Sequence, residues 1–165
     1  MKTKKLVFTA ILTALALVAF SIEAAIPPIT PIYGIKLGIA NVFTLFALYA
    51  LGPYEAAAVL FLRITLGSIF TGQAVSFIYS LSGGFLSFIL MLMLKRFFQK
   101  DKVWVLSVLC AIAHNVGQII VAVIITQTFQ IAFYLPVLVI SGIIAGAFTG
   151  LCVQFTLLHL KRFIN

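Results

Sequence analysis

The sequence predicts an all-α integral membrane protein, a bundle of six transmembrane helices with both termini on the cytoplasmic side of the cell membrane. Three observations lead there. The 165 residues are 64% hydrophobic and only 8% charged, with a mean hydropathy of +1.26, and a soluble domain needs far more charge to cover its surface. Six apolar segments come close to the roughly 20 residues a helix needs to cross a hydrocarbon core about 30 Å thick. The basic residues collect in alternate connecting pieces, as the positive-inside rule expects.

The segments run approximately over 6–26, 35–51, 54–72, 75–94, 103–126 and 134–158. The first follows a basic start, "MKTKKLVFTAIL", in the manner of a secretory signal. Its apolar stretch continues to Ile26, long enough to span, so a retained helix is expected. Clear breaks fall at "PPITPIYG" (27–34), "KRFFQKDK" (95–102) and "TQTFQIAFY" (126–134). Gly52-Pro53 and Gly72-Gln73 each call for a tight turn. Residues 1–165 thus form a single transmembrane domain, with no room for a soluble one.

With the N-terminus inside, nine of the eleven basic residues fall in cytoplasmic pieces: Lys2, Lys4, Lys5, Lys95, Arg96, Lys100, Lys102, Lys161 and Arg162. That distribution explains the net charge of +8 without any nucleic-acid partner. Only Lys36 and Arg63 are left over. Cys110 and Cys152 both lie in apolar runs, lack metal-ligand spacing and read as small packing residues.

Small residues recur at helical spacing on several segments. Gly142, Gly146 and Gly150 mark the sixth; Ser76, Ser80, Gly83, Gly84 and Ser87 mark the fourth; Ala10 and Ala14 mark the first. Each series permits close backbone approach. Either an internal seam or a contact surface for a second membrane protein uses such a series.

Polar groups inside the hydrocarbon are costly and point to a functional interior. Arg63 lies roughly 14 Å, and His114 roughly 16 Å, from the cytoplasmic ends of their helices at about 1.5 Å per residue, so both sit near the midplane. His114 belongs to "AIAHNVGQII", where Asn115 adjoins it and Gln118 is one turn farther along its face. Glu23, Lys36 and Asn41 lie farther out on the first two helices, whereas the inner half holds few polar groups. That asymmetry predicts a ligand pocket opening outward, formed by Arg63, His114, Asn115, Gln118, Glu23, Lys36 and Asn41. The competing reading makes these side chains interhelical glue, with Glu23 and Lys36 at the headgroup boundary. Glu55, at the start of the third helix, complements the helix N-terminus.

Several chemistries are excluded. No GxxxxGK[ST] motif is present, so no ATP hydrolysis is expected. His114 and His159 are far apart, and no cluster has metal spacing. The acidic residues are only Glu23, Glu55 and Asp101. A Mg²⁺-dependent prenyl diphosphate synthase needs more carboxylates than that to hold metal and diphosphate. The chain is expected not to be an enzyme, with no catalytic residue, cofactor or metal.

The blocks "IEAAIPPI", "GIKLGIANVFTLFALYALG", "RITLGSIF", "FIYSLSGGFLS", "AIAHNVGQII" and "YLPVLVISGIIAGAFTG" resemble the Gx transporter family, also called heptaprenyl diphosphate synthase component I, over essentially the whole chain. That family is grouped with the S components of energy-coupling factor (ECF) transporters. The resemblance implies a six-helix S-component fold holding a vitamin-like or isoprenoid/quinone-related small molecule in its outer half, under the "PPITPIYG" loop. It also implies docking of an energy-coupling transmembrane protein and its ATPase subunits, with Ala10 and Ala14 matching the docking pattern. Two alternatives stay open: a non-catalytic membrane accessory subunit of prenyl diphosphate or quinone synthesis, and a membrane anchor of a redox complex.

Overall fold

The computed structural model describes residues 2–25, 38–72 and 74–164. Lys36, Gln73 and the "PPITPIYG" stretch lie outside them. Six α-helices follow one another: α1 (Lys2–Ala25), α2 (Asn41–Ala50), α3 (Pro53–Thr71), α4 (Ala74–Leu94), α5 (Val103–Thr126) and α6 (Leu135–Ile164). A 3-10 helix, Phe129–Tyr134, leads into α6. All but α2 are long and apolar enough to cross a membrane, as befits a multi-pass membrane protein.

Apolar residues surround α1 on every side, so sequence alone does not reveal its packed face; burial does. Thr9, Leu12, Thr13, Ala16, Phe20 and Glu23 are buried, at the three- and four-residue spacing of a single stripe. Val7, Ile11, Leu15, Val18 and Ile22 are exposed, as suits side chains that meet lipid. The hydroxyls of Thr9 and Thr13 donate to the carbonyls of Lys5 and Thr9, which satisfies them within the helix.

Alternate helix ends meet at one pole of the bundle. Lys5 Nζ donates to the Leu51 carbonyl and pairs with Glu55 Oε1 at 3.2 Å. Lys95 Nζ donates to the Leu48 carbonyl, and Tyr49 Oη to the Phe98 carbonyl, each at 2.7 Å. Trp104 N–H donates to Gln154 Oε1. The start of α1, the end of α2, the start of α3, the end of α4, the start of α5 and the later part of α6 therefore share this pole. It is also where Lys4, Lys5, Lys95, Arg96, Lys100 and Lys102 lie.

The second span differs from expectation. Hydropathy predicts a segment over 35–51, yet α2 has 10 residues, a length of about 15 Å at 1.5 Å per residue. That is half the hydrocarbon thickness. The break comes from Gly38, whose φ of +80° lies in the left-handed region that glycine adopts freely. After it the chain tightens into a turn. The N–H groups of Asn41, Val42 and Phe43 donate to the carbonyls of Gly38, Ile39 and Ala40 at 2.9, 3.1 and 3.4 Å. The helix thus begins inside the bundle and runs to the basic pole.

The expected tight turn at Gly52-Pro53 is present. Gly52 has φ +132°, and Pro53 opens α3 at a position where its missing N–H costs nothing. Farther on, α4, α5 and α6 pack through glycine. A Cβ on Gly117 would lie 2.9 Å from the Ser82 carbonyl oxygen, and one on Gly150 would lie 2.5 Å from Trp104 Cα. The series on α6 is therefore an internal seam against α5. Leu45, Leu48, Val59, Leu60, Met91 and Leu106 fill the core nearer the basic pole. Tyr79, Ile119, Ala122 and Leu138 form a smaller cluster toward the other end.

Candidate functional site

Where α2 begins, four helices bring polar side chains together. Arg63 on α3 is almost wholly buried, and its Nη2 donates to Asn41 Oδ1. Asn41 Nδ2 lies 3.2 Å from His114 Nδ1 on α5. Because the amide nitrogen can only donate, Nδ1 accepts, and the neutral imidazole carries its proton on Nε2. Glu23 on α1 accepts the Gly38 N–H and sets a negative charge within electrostatic reach of Arg63. The imidazole also packs against Gly83, where a Cβ would come within 2.9 Å of His114 Cε1. Glycine on α4 thus makes the space the histidine occupies.

Arg63 and His114, expected at one depth, meet through Asn41. Gln118 is buried one turn beyond His114. Neither Gln118 Oε1 nor Nε2 has a hydrogen-bond partner among the described residues, and the same holds for Arg63 Nε. A buried polar group left unpaired costs about 1–3 kcal/mol.

Asn115 belongs elsewhere. Its Nδ2 donates to the Leu138 carbonyl, which ties α5 to α6 on the side away from His114. Gly142 leaves room for it, since a Cβ there would lie 2.5 Å from Asn115 Nδ2. Lys36 lies outside the described residues. Ala10 and Ala14 are exposed together on α1, rotated about 100° around the helix from Thr9 and Thr13, and are not buried against a neighbouring helix.

Sequence reasoning did not single out Gly38, Ser107 or Thr149, and it read Ser87 only as a packing residue. On the basic side of Asn41, a cavity of about 10 Å³ is lined by Gly38, Ile39, Asn41, Ser87, Ser107 and Thr149 among others. Ser107 Oγ and Thr149 Oγ1 are 3.2 Å apart, and Ser87 Oγ is buried with no partner among the described residues. The space suits about one water molecule. The available signals were a glycine three residues before a lone asparagine, and single hydroxyls inside apolar runs.

A helical membrane protein with a buried polar layer, centred on the start of a half-length helix, is the class that fold and site define. A family model described as heptaprenyl diphosphate synthase component I matches residues 12–157, and the chain belongs to that family. No curated protein and no solved structure matches it.

Proposed function

We propose that the chain is a non-catalytic membrane subunit of prenyl diphosphate synthesis, working beside a catalytic partner subunit and holding a small anionic or carbonyl-rich molecule in its polar layer. The observation that carries the binding role is the Arg63–Asn41–His114 connection with Gln118 beside it. A mostly apolar surround with a few convergent polar groups is what a small-molecule site requires. A partner from outside the chain relieves the cost of the unpaired amide and guanidinium groups. The family supports the link to prenyl diphosphate synthesis. Three acidic residues in the whole sequence are too few for metal-dependent diphosphate chemistry, which assigns catalysis to the partner.

A second reading has its own observation. The exposed pair Ala10 and Ala14 leaves a smooth strip on α1, and such a strip suits an energy-coupling membrane protein. In that reading the chain is the substrate-binding component of an ATP-driven transporter, with six spans and both termini cytoplasmic. Affinity purification from native membranes tests the two. A soluble prenyl diphosphate synthase subunit in the eluate supports the first reading, and ATPase subunits overturn it in favour of the second. Native mass spectrometry of the same sample tests the polar layer by detecting a retained small molecule.

A further inference from the structure

Gln118 on α5 is fully buried, and both ends of its carboxamide, Oε1 and Nε2, lack a hydrogen-bond partner among the described residues. The hydroxyls of Thr44, Ser76 and Ser87 are in the same state. A helical hydroxyl relieves it locally by turning to the carbonyl four residues back, as Thr9, Thr13 and Thr126 do. The carboxamide asks for more. Its Oε1 needs a donor, and the N–H groups within a helix are already used. Its stem is also held in place, because a Cβ on Gly83 would lie 2.9 Å from Gln118 Cγ and 2.7 Å from the His114 carbonyl oxygen. Gln118 is not among the residues that line the one-water cavity beside Asn41.

The two unpaired atoms define their complement. Oε1 accepts and Nε2 donates from one planar group, so a single guest edge satisfies both only if an N–H adjoins a C=O. An ionised phosphate, a carboxylate or a quinone offers acceptors alone and leaves Oε1 unpaired. Charge points the same way. Among the described residues of the layer, Arg63 is the cation and Glu23 the anion, within electrostatic reach of each other, and His114 accepts from Asn41 as a neutral ring. An uncharged guest keeps that balance, whereas an anion adds net charge inside hydrocarbon. Arg63 Nε, also buried and unpaired among the described residues, calls for one further acceptor. We propose that the molecule held in the polar layer is an uncharged cyclic amide or imide, with its adjacent N–H and C=O on the Gln118 carboxamide and a carbonyl on Arg63 Nε. The assignment rests on the reading of the layer as a small-molecule site, and it narrows that reading to one class of guest.

Thermal unfolding of the purified protein in nanodiscs, titrated with thymine, tests the edge. 1,3-Dimethylthymine keeps both carbonyls and lacks both N–H groups. Thymine is expected to raise the melting temperature at concentrations at least about tenfold lower than the dimethyl form, because a site built to hydrogen-bond a group rejects the analogue without it. No shift with thymine, or an equal shift with the dimethyl form, overturns the proposal. Gln118→Met should erase the difference; rejection of methyl bulk alone would survive that substitution and likewise overturn it. Ser76→Ala, about two turns from Gly83 along α4, should leave the difference intact, and its loss there overturns the assignment to Gln118. If Gln118→Met does not fold, the molecule released from the native protein decides. It should carry an N–H hydrogen that exchanges in deuterium oxide, read as a gain in mass. A retained molecule without one removes the edge and leaves the binding role, whereas no retained molecule and no thymine shift remove both. Copurification reports separately on the partner subunit.

Discussion

Arg63 on α3 donates a hydrogen bond to Asn41, the first residue of α2, so a buried cation is held by the start of a helix that spans only half the bilayer. The same asparagine reaches His114 on α5. One neutral side chain therefore organises charge and imidazole across three helices, and losing it affects both.

Asn41→Ala, Arg63→Ala and His114→Ala are each expected to weaken retention of the bound small molecule by at least about fivefold. That corresponds to about 1 kcal/mol, the low end of the cost of leaving a buried group unpaired. Ligand occupancy by native mass spectrometry, followed through dilution, measures it. Unchanged occupancy in all three variants would falsify the polar layer as a binding site.

Gln118 and Asn115 should separate cleanly. Asn115→Ala removes the bond to Leu138 and should cost about 1–3 kcal/mol in stability with ligand occupancy intact. Gln118→Met removes two unpaired polar atoms, so apo stability should hold or rise while occupancy falls. Thermal unfolding with and without the retained molecule reads both. The opposite assignment of effects would make Gln118 the structural residue.

Gly38→Ala should disrupt the layer from the backbone. A Cβ there would lie 2.9 Å from Asn41 Nδ2 and 3.0 Å from His114 Cδ2. The left-handed conformation adds roughly 1–2 kcal/mol for a non-glycine residue. Gly72→Ala is the control: its φ is +65°, but nothing lies within 4 Å of the added methyl. Denaturation should show the larger loss at Gly38, and comparable losses would mean that strain alone acts at both positions.

Membrane orientation is expected to put the basic pole on the inner side. In a Cys152→Ser background, Lys100→Cys should be shielded from an impermeant maleimide in intact cells, while Thr128→Cys should react. Reaction at position 100 alone would invert the molecule.

Ala10→Leu with Ala14→Leu should leave the melting temperature nearly unchanged, because both positions are exposed. Loss of a copurifying membrane partner without loss of stability would identify α1 as a docking face. A large drop in stability would mean that these alanines pack internally.

Much of this arrangement was legible in the residues. Gly52-Pro53 marked its turn because proline and glycine act locally. The shared depth of Arg63 and His114 followed from counting 1.5 Å per residue. The short α2 was not legible, because "GIKLGIANVF" is apolar on average despite Lys36 and Asn41, and hydropathy ignores a left-handed glycine. The role of Asn115 was equally hidden, since its partner is a carbonyl on α6 and carbonyls carry no sequence signal. Also hidden was the cavity of about 440 Å³ between α1, α2 and α6, which depends on which helix faces are left apart. Periodicity cannot supply that for helices that are apolar all round.

The first three N–H groups of α2 are already spent on the carbonyls of Gly38, Ile39 and Ala40. Those three N–H groups are therefore not available to a guest, unlike the donors of an exposed first turn. Recognition at this level can still draw on replaceable side chains: an amide, a guanidinium, an imidazole. Related chains could exchange these for others and change what they carry while every helix stays where it is. The scaffold and its cargo are thus free to evolve separately.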